Sequence, residues 1–261
     1  MRIGLLTDLH DWTPEPAIEK FNNESLDVIL VNGDLSNKEV ILEGILEAFE
    51  NARAPVYVIP GNYEPKNAWK RAFQKAPNNV RDASKLKSYE IKGFLFIPYG
   101  GADVSPHKDF FYANPSQDYN KLVEIAEKNK NKKMVLQSHI PPKGYGDRAR
   151  FIKTENGILP LAELRIPGLD QQAVIGHVGD ERLKEFVDKY ITLATFGHIH
   201  ENHSFGPRAQ RIPDGNPVRE GELVDRLAIN PGPYCEGYLA IIEIDDKISY
   251  KILNLYNVYL A

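Results

Sequence analysis

Apolar and polar positions divide the first half of the chain into a regular alternation. Short apolar runs at Ile3–Leu6, Val28–Val31, Val56–Ile59, Phe94–Ile97 and Met134–Leu136 have the length of strands. Between them lie Glu15–Phe21, Lys38–Phe49, Ala68–Lys75 and Gln117–Lys128, which read as helices. In the second of these, Ile41, Ile45, Ala48 and Phe49 recur at helical spacing and predict one apolar face. Pro14 and Pro65 precede two of the helices, where proline is tolerated near the first turn. Strands that alternate with helices in this way predict βαβ units and parallel pairing.

The second half is patterned differently. Pro141 to His177 is rich in Gly, Pro, Lys and Arg, with little periodicity. A structureless stretch of that length in a compact domain is usually functional or misread. Asp180–Tyr190 predicts a helix and Ile191–Phe196 a strand, followed by a second polar loop from His203 to Arg226. Leu227–Asn230, Tyr238–Asp245 and Ile248–Leu255 predict strands, the last two joined as a hairpin at Asp246-Lys247. Mixed parallel and antiparallel pairing follows. No repeat, low-complexity run or linker divides the chain, so residues 1–261 are expected to form one domain.

Each of five apolar runs ends in a polar cluster: Asp8 and His10, Gly33-Asp34, Gly61-Asn62-Tyr63-Glu64, His139, and Gly197-His198-Ile199-His200. In open α/β sheets, sites form beyond the carboxyl ends of the strands. Asp8, His10, Asp34, Asn62, His139, His198 and His200 therefore deliver seven N and O donors to one edge, a set that suits first-row divalent metals. Singly, each has a plainer explanation. Asp8 and Asp34 read as turn or cap residues, Asn62 as a left-handed turn residue, and His10 and His139 as isolated histidines. The order and placement of all five clusters favour a metal centre.

Composition narrows the setting. The 261 residues are 42% hydrophobic and carry a net charge of −4. That balance argues against nucleic acid as a partner, since no basic stripe is visible. The lone Cys235 excludes an internal disulfide and suits a reducing compartment. No apolar run nears the ~20 residues of a membrane span. A strand starting beside the amino terminus leads us to expect no signal peptide, hence a cytoplasmic protein. Nothing in the composition fixes the oligomeric state, and a homo-oligomer is allowed.

The ordered motifs DLH, GD, GNYE, SHIPP and GHIH, spanning residues 8 to 200, resemble the calcineurin-like metallophosphoesterase superfamily. The signature of that superfamily is D-x-H, G-D, G-N-H-[DE], a lone His and G-H-x-H. Tyr63 stands where many members have His, which suggests the Icc-like phosphodiesterase branch. The resemblance implies an α/β fold, a four-layer αββα sandwich of two mixed β-sheets flanked by helices; periodicity alone gives only α/β. It also implies two divalent metal ions (Mn2+, Fe2+, Zn2+ or Ni2+) about 3.5–4 Å apart. Asp8, His10, Asp34 and His200 would hold one, and Asp34, Asn62, His139 and His198 the other. The implied reaction is phosphoester hydrolysis, with diesters preferred, by in-line attack of a metal-bound hydroxide. Its substrate would be a phosphoester small molecule or nucleotide, and His10, Asn62 and Tyr63 would be the catalytic residues.

Tyr63 and several charged residues leave alternatives open. An unperturbed phenol, with pKa near 10, is a poor proton donor, and Tyr63 is as well explained by packing or by contact with substrate. It also supports a rival reading, a catalytically weak metal-binding scaffold that binds a protein partner. Lys143, Arg148, Arg150, Arg208 and Arg211 follow metal motifs and are able to grip phosphate, although solvated loop charge is the commoner outcome. His177 and His203 are second-line candidates for orienting the ligands, and His107 has no supporting context. The two long loops, Pro142–Ile175 and His203–Arg226, are expected to wall the cleft.

Overall fold

In the computed structural model, the described residues are 1–102, 108–154, 157–160 and 174–256. The first sheet contains β1 (Arg2–Leu6), β2 (Val28–Asn32), β3 (Val56–Ile59) and β4 (Val80–Asp82), all parallel. The hairpin of β14 (Tyr238–Ile244) and β15 (Ile248–Asn254) adds antiparallel to β1, giving the order β15-β14-β1-β2-β3-β4. The second sheet runs β12-β13-β11-β7-β6-β5. Its parallel centre is β6 (Phe94–Tyr99), β7 (Met134–Ser138), β11 (Leu193–Thr195) and β13 (Leu227–Ile229). Its antiparallel edges are β5 (Tyr89–Ile91) and β12 (Ala209–Arg211).

Three apolar layers hold the sheets and helices together. Because side chains alternate across a strand, each central strand feeds two of them. Ile29 and Val31 of β2 pack with helices α1 (Glu15–Asn22), α2 (Glu39–Ala48) and α3 (Lys66–Lys75). Val28 and Leu30 face the other sheet, meeting Val135, Leu193 and Ile229. Met134 and Leu136 join Leu122 of α4 (Pro115–Lys128) and Leu183, Phe186 and Val187 of α5 (Glu181–Tyr190). The result is the four-layer αββα sandwich of two mixed sheets. Burial on both faces explains why these strands are continuous apolar runs. Truncating one such side chain, Leu30→Ala for instance, is expected to cost about 2–5 kcal/mol.

The elements depart from the sequence reading in several places. The buried stripe of α2 is Leu42, Ile45 and Leu46, continued by Phe49 just beyond its end, with Ile41 and Ala48 at its margin, so the face is turned slightly. The short strands β4 and β5 escaped the apolar pattern because they are edge elements with few buried positions. The stretch after Pro141 contains β8 (Arg148–Thr154), β9 (Gly157–Pro160) and β10 (Val174–His177), a three-stranded antiparallel flap. At its start Arg148 and Arg150 are exposed while Ala149 and Phe151 are buried, a period-two pattern hidden by the surrounding charge.

The base of the flap is pinned behind two of the polar motifs. Asp180 N donates to Pro141 O at 3.1 Å, just beyond His139, and Arg150 N donates to Glu201 Oε2 at 2.8 Å, just beyond His200. The base of this first loop therefore stands at the site edge, and residues 155–156 and 161–173 of the loop lie outside the described residues. The second, His203–Arg226, does not stay there. It runs down β12 beside β13 and reaches the opposite end of the sheets, where Gly221 N donates to Tyr250 O and Val224 N to Ile248 O. The expectation that it walls the cleft is corrected to its first few residues. Beyond them its backbone bonds to β13, to β15 and to itself, as in Arg211 N to Asn216 O and Val218 N to Ala209 O.

Candidate metal centre

The five polar clusters converge where the parallel strands of both sheets end. Backbone geometry at these ends is unusual. Asp8, His10, Asp34 and His198 adopt φ of 55°, 45°, 56° and 65°, and Asp11 follows at 72°. Left-handed backbone costs a non-glycine residue about 1–3 kcal/mol and collects at functional sites. It turns each side chain sharply off its strand toward a common point. Asn62, whose plainer explanation was a left-handed turn, is not among them. The glycines before the donors have a different task. A Cβ on Gly61 would collide with Asp34 Oδ1, and one on Gly197 with Thr7 Oγ1 and Asp8 Oδ2. The loops approach so closely that a side chain there is excluded.

Two triads result. Ligand atoms of Asp8, His10 and His200 lie within 4.8 Å of one another, as do those of Asp34, His139 and His198. His200 Nε2 is 3.3 Å from Asp8 Oδ1, and His10 Nε2 is 3.1 Å from His200 Nε2. Asp34 faces both groups: Oδ1 is 3.4 Å from His139 Nε2 and Oδ2 is 3.8 Å from His10 Nε2. Asn62 Oδ1 is 3.2 Å from His139 Nε2 and so joins the second triad. The seven donors expected from the sequence are thus gathered at one place. These are two candidate divalent-metal sites, and the donors fit the cations. Inward-facing imidazole nitrogens and carboxylate oxygens are better satisfied by a shared cation than by one another.

Electrostatics without a cation show the same strain. Burial alone would raise the Asp8 carboxyl, but the neighbouring His200 holds it below its ordinary value. Burial likewise opposes ionisation of Asp34, yet His139 lowers it strongly. Burial would lower His139, but Asp34 raises it to about 10. His198, buried and beside His139, falls to about 4. His10 is lowered by burial, whereas in His200 the Asp8 carboxylate outweighs burial and raises it.

A surrounding set of polar groups fixes the donors, and the sequence reading missed it. Thr7 Oγ1 donates to Asp8 Oδ2 at 2.7 Å, and His198 N donates to both Asp8 oxygens at 3.1 Å. His139 Nδ1 donates to Asn32 O at 2.6 Å, which aims Nε2 at the second triad. Buried Asn230 donates through Nδ2 to Gly146 O at 3.0 Å and Ile199 O at 3.2 Å, tying the flap base to the last motif. The two oxygens of Glu64 accept from Leu35 N and from Gly61 N (2.8 Å) and clamp two donor loops together. The one available signal was a polar residue closing an apolar run, as in VILVN.

The remaining candidates fall outside the two triads. Tyr63 N donates to Asp34 Oδ1 at 3.0 Å, and its ring meets that of His10 edge-on at 4.9 Å. Burial and the nearby Asp11 raise its phenol above the ordinary value. His177 Nδ1 donates to buried Asp147 at 2.6 Å, away from the triads. Lys143 pairs with Glu181, Arg150 with Glu201 and Arg211 with Glu222, while Arg208 stacks on Tyr238. Arg148 is exposed on the flap. His107 and the side chain of His203 lie outside the described residues.

Comparison with known proteins places this geometry. The family profile described as calcineurin-like phosphoesterase matches residues 1–202. One solved structure superposes with TM-score 0.67 at 14% identity, covering 97% of this chain and 98% of the other. A dimetal phosphatase from Danio rerio gives TM-score 0.61 at 10% identity, covering 98% and 99%. A purple acid phosphatase from yellow lupin (Lupinus luteus) seeds gives 0.53 at 9%, covering 98% of this chain and 51% of that one. At these identities the structures speak for the fold alone. No curated protein matches by sequence. Among the described residues, no helix is long and apolar enough to cross a membrane.

Proposed function

The chain belongs to the calcineurin-like phosphoesterase family, and from that premise we propose that it is a binuclear metal-dependent phosphoesterase that prefers phosphodiesters. The observation that carries this reading is the pair of triads with Asp34 facing both. Asp8, His10 and His200 would hold one cation, Asn62, His139 and His198 the other, and Asp34 both. Two bound divalent cations supply an acidified water at neutral pH and positive charge for the phosphoryl oxygens. The residues of the chain do the positioning. Asn32 O fixes the His139 tautomer, Thr7 and His198 N fix Asp8, and Glu64 fixes the spacing of the Asp34 and Asn62 loops. Manganese as activating metal and a cytoplasmic location belong to this reading.

The preference for diesters rests on Tyr63. At this position an imidazole would stand ready to protonate the departing oxygen, a contribution of ~10²–10⁴-fold. The phenol is raised by burial and by Asp11, which makes it a still weaker acid. Glu64 is committed to backbone N–H groups and does not orient residue 63. Substrates whose leaving groups need little proton assistance, aryl or nucleoside-phosphate diesters, would suffer least. The motif GNYE would then mark a phosphodiesterase branch. Tyr63 is also the observation that favours the second reading, a weak metal-binding scaffold for a protein partner.

Turnover of an aryl phosphodiester with added Mn2+ separates the two. Hydrolysis with a kcat/KM well above that for alkyl monoesters is expected. No turnover of any phosphoester by fully metal-loaded protein would leave the scaffold.

A further inference from the structure

Exposed aromatic side chains are few among the described residues, and two of them meet at the segment that follows His10. Trp12 is 50% exposed and Tyr256 42%, with ring centroids 5.8 Å apart and planes tilted by 54°. Trp12 lies two residues past His10, a span of at most about 7 Å of chain. Its N–H donates to Leu9 O at 3.0 Å, closing the turn that carries the imidazole.

Tyr256 arrives from the other end of the chain and is seated on the same backbone. Its ring rides over Gly237, where φ is 87° and a Cβ would come within 2.7 Å of Tyr256 Cδ2. Gly237 closes the turn Tyr234–Glu236, in which Tyr234 N donates to Thr7 O at 2.8 Å and Cys235 N to Asp8 O at 3.2 Å. Tyr234 Oη donates to Thr13 O at 2.9 Å. The segment that presents Asp8 and His10 is thus bonded along its length to the segment that seats Tyr256. This seam lies on the β14 side of β1, whereas Tyr63 follows β3.

We propose that Trp12 and Tyr256 form a stacking subsite for a planar ring, a nucleobase or an aryl group, on the non-leaving arm of a phosphodiester. The inference rests on the phosphoesterase reading and gives its substrate a second recognition element. A diester has two arms. Tyr63 borders the leaving oxygen, and the aromatic pair on the opposite side of His10 takes the other arm. Tyr and Trp suit this task because each offers a large flat apolar face with few torsions to freeze. Stacking also tolerates any planar ring, since every such ring has a π-face.

Two measurements test the subsite. The chain has two tryptophans, and Trp69 is 2% exposed in the core, so ligand-dependent emission reports on Trp12. Titration of the Zn2+-loaded protein with adenosine monophosphate or phenyl phosphate should change that emission saturably, and ribose 5-phosphate should not. A response to only one of the first two tells nucleobase from aryl recognition. In the second measurement, kcat/KM for bis(4-nitrophenyl) phosphate is divided by that for methyl 4-nitrophenyl phosphate, which lacks the second ring. Trp12→Ala and Tyr256→Ala should each lower this ratio about tenfold through KM. An unchanged ratio in both variants, or emission indifferent to both ring-bearing ligands, overturns the subsite. If loaded wild type turns over no phosphoester, the phosphoesterase reading has failed, and the emission titration still decides the subsite by itself.

Discussion

Asp34 is where the two halves of the centre meet, since its oxygens face His139 at 3.4 Å and His10 at 3.8 Å. Asp34→Asn keeps the shape and removes the charge. It should weaken both cations by more than the ~10–100-fold typical of losing an outer partner, as read by calorimetric titration. Loss of one cation alone would deny Asp34 a place between them. Tyr63→Phe should change kcat/KM only modestly, because the raised phenol has little acid to give. A large loss that grows with leaving-group pKa would make the phenol the proton donor. At this scale the donors were legible because each is a polar residue closing an apolar run. Their partners were not. Thr7, Asn32, Glu64 and Asn230 acquire meaning only when separate strands end side by side, and no local pattern marks that meeting.

The strand-end loops are the elements that carry the site, and their glycines permit the close approach. Gly197→Ala would push a methyl against Thr7 and Asp8. Overpacking of this kind costs about 1–3 kcal/mol, and the displacement should also reduce cation binding, measurable by denaturation and dialysis on the same sample. Asn230→Ala leaves the carbonyl of Gly146 without its donor, while Ile199 O keeps the Asn202 N–H. Unsatisfied buried groups cost about 1–3 kcal/mol each, so a lower denaturation midpoint and faster exchange in the flap base are expected. Unaltered exchange there would show that the tie is dispensable. Central strands and all five long helices were readable from periodicity. The flap was not, since its alternation of Arg148, Ala149, Arg150 and Phe151 lies inside a charged, glycine-rich stretch. The path of His203–Arg226 was misjudged because a motif fixes where a loop begins and not which sheet edge it joins.

For the molecule as a whole, periodicity foretold an α/β architecture and the ordered motifs foretold four layers, which the three apolar clusters now account for. Cation binding at this centre would exchange protons for cations. His139 is raised to about 10 in the cation-free protein, so it carries a proton at neutral pH and must lose it to act as a ligand. Loading should therefore release protons at pH 7, and apparent affinity should climb as pH rises toward that value. Calorimetry in buffers of different ionisation enthalpy reads the proton count, and a binding heat independent of buffer would contradict it. Two cations, one in each triad with Asp34 shared, would complete the centre. The most direct measurement is a crystal structure of protein grown with Mn2+, with anomalous scattering recorded at the manganese edge. Two peaks are predicted, one bonded to Asp8, His10 and His200, the other to Asn62, His139 and His198, and both to Asp34. Full manganese in the crystal with no peak among these side chains, or with peaks bound elsewhere, would contradict it.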